Sequence, residues 1–393
     1  MQKIDIRWLL ILKNITKIVK VKEIKAKSIL RKYKKIDSWF ISKYGMNLYR
    51  GCSHNCLYCD GRSEKYGIDG EFGEEVIVKI NAVDILKKEL DYTKRKVPLK
   101  KCFLMIGGGV GDSYQPVEEK YNLTKRTLEL IYDKKLPISI LTKSSLIKRD
   151  IDIIKKINKS SRAIVSFSFS STDDKISSIF EPGVPPPSER LKTIEFFKKE
   201  GISCGIFLLP VIPFITDKPE FIDRAIKQAK NVGVDFIIFG GMTLKNGRQK
   251  NYFFNAIEKN FPELIPEYCN IYKKDKWGHP AFDYYKSINK TFNLIAKKYN
   301  IPKRIPLHLF KDILNENDLV VVILEQIDYL LKLDGKNSPY GFAAYSISKI
   351  KEPLSEFKGS FQKIKGVGQK TEKMIFEILE TKNLKYYQKL MNV

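Results

Sequence analysis

Residues 47–62 read NLYRGCSHNCLYCDGR and hold three of the six cysteines of the chain. Cys52, Cys56 and Cys59 have the spacing C-x3-C-x2-C. Iron–sulfur clusters are bound mainly by cysteine thiolates, so three thiolates this close together can bind three irons of a cubane cluster. Because no fourth cysteine lies nearby, the fourth iron is left open for a molecule from outside the protein. The segment therefore predicts an iron–sulfur centre with one open position.

Two other uses of these cysteines have to be weighed. A zinc ion takes four ligands in tetrahedral geometry, and His54 is the candidate for the fourth. His54 lies between two of the cysteines on a short loop, which makes that geometry awkward. A disulfide plus one unpaired cysteine would require an oxidising compartment, which nothing else in the chain indicates. The spacing alone favours the cluster and leaves both alternatives open.

The charge of the chain points to an anionic partner. Its 393 residues carry 71 Lys and Arg against 45 Asp and Glu, a formal net charge of +26. Residues 1–44 hold 13 Lys and Arg against 3 Asp and Glu, and residues 349–393 hold 10 Lys against 5 Glu. Such an excess is typical of nucleic-acid binding, and a solvated basic face is the alternative. The N-terminal apolar run, residues 8–12, is too short for a signal peptide or a membrane span, so we expect a cytoplasmic protein.

Between residues 46 and 239, short apolar runs alternate with amphipathic stretches. This alternation predicts right-handed β-α-β units and a parallel sheet. The predicted strands are 46–49, 102–106, 138–141, 163–169, 204–209 and 236–239, and the helices between them are 82–90, 123–132, 151–157, 189–199 and 221–229. Six units suit an α/β fold with a partial parallel (β/α)6 barrel, whose sites lie at the C-terminal strand ends. An open doubly wound sheet is the alternative.

The pattern divides the chain into four parts. Residues 1–44 form a basic, partly helical lead-in, and residues 45–245 form the barrel. A helical extension spans 246–334, with predicted helices at 252–259, 284–298, 307–314 and 319–333. After a linker at 334–341, residues 342–393 form a C-terminal module.

Several motifs resemble, in their order and spacing, the spore photoproduct lyase branch of the radical S-adenosylmethionine (SAM) superfamily, often called DNA repair photolyase-like proteins. They are the cysteine segment, Gly107–Gly109, Asp112–Pro116, Leu141–Lys143, Ser166–Ser171 and Glu181–Gly183. The resemblance covers roughly residues 35–245, and Cys-Asp-Gly-Arg at the third cysteine is closer to one subgroup than to the spore lyases. It implies a barrel of radical SAM type with a [4Fe-4S] cluster and SAM as cofactors.

The resemblance also implies roles for single residues. The matching positions are Cys52, Cys56 and Cys59 as cluster ligands, Tyr58 over the adenine of SAM, Gly107, Gly108 and Gly109 beside its methionine amino group, Lys143 at its carboxylate and Ser168 nearby. Glycine lets the backbone approach the cofactor because it has no Cβ. For Lys143, a solvated lysine at the barrel rim is the alternative.

The chain departs from the spore lyases at the cysteine that returns a hydrogen atom to the product radical. In those enzymes the second strand ends in Cys-Thr-Ser-Asp, and the matching residues here are Gly109–Asp112. Cys102 lies at the other end of that strand and cannot replace the missing cysteine. The lyase reaction on the spore photoproduct is therefore not carried over, and no catalytic residue is assigned.

Residues 364–375, IKGVGQKTEKMI, resemble the helix-hairpin-helix motif of non-specific DNA binding. Its Gly-x-Gly hairpin presents backbone N–H groups at the start of a helix, where the helix dipole also favours a phosphate oxygen. Contacts of this kind read no base edge. An ordinary helical hairpin with a glycine turn is the alternative. The predicted DNA-binding residues are Lys365, Gly366, Val367, Gly368 and Lys370.

Together these features predict a radical SAM enzyme that acts on DNA, by lesion repair or nucleotide modification. A flavodoxin or ferredoxin would reduce the cluster, and cleavage of SAM would give a 5′-deoxyadenosyl radical that takes a hydrogen atom from the substrate. The expected partner is duplex DNA, from which a base must be unstacked to reach the barrel mouth. The alternatives are an enzyme that modifies tRNA or a protein, and an iron–sulfur DNA-binding protein without turnover.

Overall fold

The computed structural model describes residues 19–67, 70, 72–91, 93, 98–108, 110–273 and 275–391. None of the helices in this part of the chain is long and apolar enough to cross a bilayer. Its strands are β1 (Lys20–Ile24), β2 (Leu30–Asp37), β3 (Ser42–Met46), β4 (Tyr49–Arg50), β5 (Glu75–Lys79), β6 (Phe103–Ile106), β7 (Ile138–Thr142), β8 (Ala163–Phe169), β9 (Ser203–Val211) and β10 (Phe236–Gly241).

Seven of these strands form the main sheet, in the order β10-β9-β8-β7-β6-β3-β2. Within this sheet, β3, β6, β7, β8, β9 and β10 are all parallel to their neighbours in this series, whereas β2 pairs with β3 in antiparallel fashion. The inner strand β8 is buried along its whole length, as expected where helices cover a parallel sheet. Six parallel strands in this succession, with β2 and β10 at open edges, confirm the predicted partial (β/α)6 barrel.

The crossover helices cover the outer face of the sheet, and the longer ones bury an apolar side. In the helix that precedes β8, for example, Ile154 and Ile157 point to the core. These helices are α1 (Ala82–Glu89), α2 (Glu118–Tyr121), α3 (Leu123–Asp133), α4 (Ile151–Ser160), α5 (Asp174–Phe180), α6 (Pro187–Lys199) and α7 (Pro219–Asn231). Both α6 and α7 begin at a proline, which lacks the N–H that a first helical turn leaves unpaired.

The N-terminal segment differs from the predicted, partly helical lead-in. Residues 1–18 lie outside the described part of the chain, and the regular structure from residue 19 to residue 44 is β1, β2 and the start of β3. In β2, Tyr33 lies half-buried between the exposed Lys32 and Lys34, and Ile36 is fully buried. These two residues are three positions apart, and the pairing with β3 shifts register between Lys32 and Asp37, so the sequence lacks the regular period-2 alternation of a strand. The first parallel strand is accordingly Ser42–Met46, earlier than predicted.

Helices follow the barrel. They are α8 (Arg248–Asn260), α9 (Ile265–Ile271), α10 (Phe282–Lys298), α11 (Glu316–Leu333), α12 (Tyr340–Ile347), α13 (Gln369–Thr381) and α14 (Lys385–Met391). The predicted helix at 307–314 is wrong, since only a short 3-10 turn forms at Leu307–Leu309. The mostly buried α11 packs against β2 on one side and against α12, α13 and α14 on the other. One hydrophobic core therefore runs from the barrel into the C-terminal module.

Candidate cofactor site

The three predicted cluster cysteines lie on the loop that follows β4. Gln115 holds the start of this loop: its Oε1 accepts from Ser53 N at 2.9 Å, and its Nε2 donates to Gly51 O at 3.1 Å. One cavity is lined by six of the predicted residues, namely Cys52, Cys56, Cys59, Gly108, Lys143 and Ser168. Gly108 follows β6, Lys143 follows β7 and Ser168 lies near the end of β8. The structure thus brings these residues together at the C-terminal edge of the parallel sheet.

The glycines after β6 have two different surroundings. Gly107 has a φ of +73°, and a Cβ there would lie 2.3 Å from Leu141 O. The neighbouring strand therefore requires glycine at this position, independently of any cofactor. Gly108 has a φ of +89° and faces the cavity. The predicted residue Gly109 lies outside the described residues.

His54 does not complete a zinc site. Its Nδ1 lies 2.9 Å from Gly183 O, and its Nε2 lies 3.2 Å from Asp112 Oδ2, so both ring nitrogens already have partners. Within the described ranges, no three His, Cys, Asp or Glu side chains are arranged to hold a single metal ion. In a cubane cluster each cysteine binds a different iron, so the thiols stand further apart than zinc ligands do. All six cysteines are free thiols, which also argues against the disulfide alternative.

The electrostatic setting of the thiols favours a cationic ligand. Burial raises the pKa of all three thiols, that of Cys56 to about 12. The nearby Lys143 acts in the opposite direction on the pKa of Cys56. Because thiolates are the metal-binding form, these side chains would be ionised only beside a positive centre such as iron. The residues present fit a cluster held by three cysteines.

Arg62 fixes the shape of the cysteine loop, and the sequence did not assign it a role. Its guanidinium donates to Cys56 O at 3.0 Å, to Phe72 O at 3.0 Å and to Asn55 O at 3.2 Å. It also stacks on Tyr252 of α8, with 3.4 Å between the guanidinium carbon and the ring centroid. Its position three residues after the third cysteine is visible in the sequence. Local reasoning could not predict its contact with a helix 190 residues further along the chain.

Glu181 lies at the centre of a buried network beside the cavity. Its carboxylate accepts from Lys143 Nζ at 2.9 Å and from Arg190 Nη2 at 2.6 Å. It also accepts hydrogen bonds from the hydroxyls of Tyr58, Ser170 and Ser177. Burial alone would raise the pKa of Glu181, but Arg190 and Lys143 hold it well below its ordinary value. The carboxylate is therefore ionised and paired with two cations.

Tyr58 and Ser168 occupy different positions relative to the cavity. Tyr58 is 5% exposed and packs in a second apolar cluster with Phe180 and Met242. Its ring lies 5.6 Å from Lys143 Nζ, but it is not among the residues that line the cavity. Its contact with adenine stays a prediction. Ser168 Oγ accepts from Lys143 Nζ at 3.0 Å and donates to Leu209 O, so it orients the lysine.

A second cavity of about 370 Å³ adjoins the first and shares Gly108 with it. It lies along β2, β3 and β6. Its walls include Arg31, Tyr33, Asp37, Phe40, Tyr66 and Met105. The guanidinium of Arg31 lies 5.6 Å from the ring centroid of Tyr33. Sequence reasoning missed this cavity because it placed the β2 residues in a lead-in.

Four of the predicted DNA-binding residues, 365–368, lie between a 3-10 turn, Phe361–Lys363, and α13, and Lys370 is the second residue of α13. Gly366 has a φ of +86°, and a Cβ there would lie 2.5 Å from Phe342 Cδ1. Gly368 caps α13, and a Cβ there would meet no atom within 4 Å. The Val367 side chain is buried in the core, whereas Lys365 and Lys370 are exposed. The hairpin conformation therefore requires glycine at Gly366 but not at Gly368.

Residues 46–223 match the family model for the radical SAM superfamily. A protein of Methanocaldococcus jannaschii, described as uncharacterized, is 31% identical over 268 residues, which are 68% of this chain and 91% of that protein. The chain belongs to the radical SAM superfamily. Membership in this superfamily implies SAM and an iron–sulfur cluster as cofactors.

Other comparisons concern the C-terminal region, a further relative and the fold. Residues 315–384 of this radical SAM protein match a helix-hairpin-helix domain, a match that begins within the predicted helical extension. An uncharacterized protein of Mycobacterium tuberculosis is 29% identical over 61% of this chain and 70% of its own length. Spore photoproduct lyase complexed with dinucleoside spore photoproduct has a TM-score of 0.52 at 15% identity, covering 71% of this chain and 79% of that chain. At this identity the likeness shows a common fold.

Proposed function

We propose that this radical SAM protein is an enzyme that acts on DNA, with a [4Fe-4S] cluster bound by Cys52, Cys56 and Cys59. The observation that carries the proposal is the common cavity of these cysteines with Gly108, Lys143 and Ser168, in a chain that also has a helix-hairpin-helix domain. When bound, the cluster and SAM supply a 5′-deoxyadenosyl radical that removes a hydrogen atom from the substrate. A flavodoxin or ferredoxin is the proposed electron donor.

The charges beside the cavity suit the carboxylate of SAM. Lys143 and Arg190 carry two positive charges, and Glu181 carries one negative charge, so the group keeps one net positive charge. Lys143 is the member that lines the cavity, and Ser168 orients its ammonium group. Lys143 can therefore pair with an incoming carboxylate through a charge-assisted hydrogen bond while Arg190 keeps Glu181 neutralised.

The second cavity supports a nucleotide substrate. Its volume of about 370 Å³ falls in the range of pockets for small ligands. The aromatic side chains of Tyr33, Phe40 and Tyr66 offer faces for a base, and Arg31 offers a charge for a phosphate. A base paired within a duplex could not reach it, so the target base has to leave the stack. A base bound there would lie next to the proposed cofactor site, because Gly108 lines both cavities.

Two further findings support DNA as the macromolecular partner. The helix-hairpin-helix domain carries an exposed Gly-x-Gly hairpin with Lys365 and Lys370 beside it. One solved structure of the same fold, spore photoproduct lyase, is complexed with dinucleoside spore photoproduct. Backbone N–H groups at a helix start bind phosphate without reading sequence, so the proposed partner is duplex DNA of any sequence.

The proposal is tested by following hydrogen from the substrate. The reduced, anaerobic protein is incubated with SAM and with deuterated DNA, either intact or carrying lesions, and 5′-deoxyadenosine is analysed by mass spectrometry. We expect 5′-deoxyadenosine that contains deuterium from one kind of DNA. Deuterium arriving only from labelled tRNA or protein would overturn the choice of DNA. Absence of 5′-deoxyadenosine from cluster-loaded protein would overturn the enzyme and leave a DNA-binding protein without turnover.

A further inference from the structure

Two half-exposed aromatic rings lie beside the glycine hairpin. Phe342 and Tyr345 are each 48% exposed and stand three residues apart on α12, so they share one face of that helix. The opposite face of α12 is buried through Tyr340, Ala343, Ala344 and Ile347. The Phe342 ring rests against Gly366, since a Cβ on that glycine would lie 2.5 Å from it. The two rings therefore continue the surface of the hairpin.

Lysines accompany both rings. Lys349 Nζ lies 4.1 Å from the ring centroid of Tyr345, and Lys365 Nζ lies 5.7 Å from that of Phe342. Residues 342–370 contain six lysines and two glutamates, a net charge of +4. We call Phe342, Tyr345, Lys349 and Lys365 the aromatic surface. Its charge selects an anionic partner, and its rings require that partner to present flat apolar groups.

Nucleic acid with unpaired bases has both properties. Its bases stack on aromatic side chains, and its phosphates pair with lysine. In an intact duplex the base faces are already stacked on one another, so only backbone contacts remain for this kind of domain. We infer that the aromatic surface binds unpaired nucleobases, so that the C-terminal domain takes single-stranded or locally opened DNA in preference to intact duplex. Since DNA is itself the proposed partner, this inference rests on the function proposed above and specifies the form of the DNA.

The inference also connects DNA binding at the C-terminal domain with the proposed reaction in the barrel. A target base must leave the helix before it can enter a cavity of the barrel. Unpairing costs free energy, and binding of the opened strand by the C-terminal domain offsets part of that cost. The aromatic surface would then stabilise the form of DNA on which the barrel acts.

The experiment compares two forms of one DNA with the full-length protein. A fluorescein-labelled single strand, and the same strand annealed to its complement, are titrated by fluorescence anisotropy. Tyr345→Ala should weaken binding of the single strand about tenfold, the size expected for one lost stacking contact, and weaken duplex binding less than twofold. Tyr345→Phe keeps the ring and should bind as the wild type does. Lys349→Ala should flatten the salt dependence on the single strand by about one unit of log–log slope.

Phe376→Ala is the matched control. Phe376 is 54% exposed and packs on Phe361, at 5.0 Å between ring centroids, and in the described part of the chain no lysine or arginine lies over its ring. This variant should bind both forms as the wild type does. Tyr345 is half-exposed, so thermal melting of Tyr345→Ala should match the wild type and exclude misfolding.

The outcomes are distinguishable. Equal weakening on both forms, or unchanged affinity for the single strand, would overturn the inference and leave the DNA partner standing. If Tyr345→Ala no longer binds poly-glutamate but still binds the single strand, the aromatic surface binds an acidic protein. This outcome would overturn the inference as well. A wild-type protein that binds neither DNA form even at low salt would overturn the DNA partner in the proposed function.

Discussion

The cofactor site and the glycine hairpin are built from different parts of the polypeptide. At the cofactor site, buried or partly buried side chains from separate segments meet: Lys143 after β7, Glu181 after α5 and Arg190 in α6. At the hairpin, the proposed phosphate donors are backbone N–H groups at the start of α13, and the nearby Lys365 and Lys370 are exposed. A site of the first kind should fail abruptly when one member is removed. A site of the second kind should lose affinity in small steps.

The largest effect is expected at the cysteines. Cys56→Ala removes one of three cluster ligands and should abolish bound iron and the visible absorbance of the anaerobic protein, and Cys52→Ala and Cys59→Ala should do the same. Cys269→Ala, at an exposed cysteine, and Cys102→Ala, at a buried one, should keep both signals. Wild-type iron content in Cys56→Ala would contradict the cluster assignment.

The next effect is on the stability of the barrel. Glu181→Gln leaves the fully buried Arg190 without its carboxylate, and breaking a buried pair in this way costs about 3–5 kcal/mol. Urea unfolding at neutral pH should show this loss. Glu195→Gln breaks an exposed pair with Lys199 on α6 and is the control, with no measurable change expected. Equal stability of Glu181→Gln and the wild type would show that the Glu181 network does not stabilise the barrel.

The same residue gives a pH dependence of defined sign. The pKa of Glu181 is lower in the folded protein than its ordinary value of 4.5. The stabilisation is therefore fully present above pH 4.5 and is lost as the pH falls through that value toward the folded pKa. The difference in unfolding free energy between the wild type and Glu181→Gln should shrink over this acid range. A difference that grows on acidification would contradict the ionised state of Glu181.

A smaller effect is expected on the affinity of the protein for SAM. Lys143→Ala removes the proposed charge-assisted hydrogen bond to the SAM carboxylate; such a bond contributes about 1.5–3 kcal/mol, so SAM binding should weaken roughly tenfold to a hundredfold. Bound iron should be unchanged, because Lys143 is not a ligand. Lys148→Ala, at an exposed lysine a few residues on, should bind SAM as the wild type does. Unchanged SAM affinity in Lys143→Ala would leave Lys143 as a lysine of the barrel rim.

Substitutions at the two glycines of the hairpin should separate an effect on folding from an effect on DNA binding. Gly368→Val places its side chain in open space, so the fold should persist while duplex DNA of any sequence binds about tenfold more weakly. Gly366→Val forces a branched side chain to a φ of +86° and against Phe342, so it should lower the melting temperature as well. Full duplex affinity in Gly368→Val would show that phosphate is not bound here. Deleting residues 349–393 is a poorer test, because Tyr387 packs in the core and bonds to Gln326.

The smallest effect concerns a single lysine. Lys370→Ala should weaken duplex binding slightly and flatten the log–log salt slope by about one unit, since one phosphate contact is lost. Lys382→Ala, at the opposite end of α13, should leave the slope unchanged. Equal slopes for Lys370→Ala and the wild type would place the phosphate contact elsewhere on the domain.

The sequence predicted those features whose signal is local. The cysteine spacing and the strand–helix alternation fall within short windows, and the structure and comparisons confirm the fold and the superfamily. The network around Glu181 was missed because Arg190 and Ser177 look like ordinary polar residues of helices, and only the packing of α6 against α5 brings Arg190 to Ser177 and Glu181. Strand β2 was missed because its lysines resemble a solvated helix. The assignments of Tyr58, Lys143 and the hairpin lysines to ligands remain predictions.

The short ladder between β4 and β5 closes the cysteine loop at its base. Tyr49 pairs with Val78 and Arg50 with Ile77, so the two ends of the loop are joined outside the main sheet. Opening of the loop breaks its hydrogen bonds to Gln115, Phe180 and Gly183, but no backbone hydrogen bond between strands of the main sheet. We therefore expect amide hydrogen exchange at residues 52–62 to slow on iron loading, while exchange in β8 stays constant. Isotope uptake in this one peptide would then report how much of a mixed preparation holds a cluster.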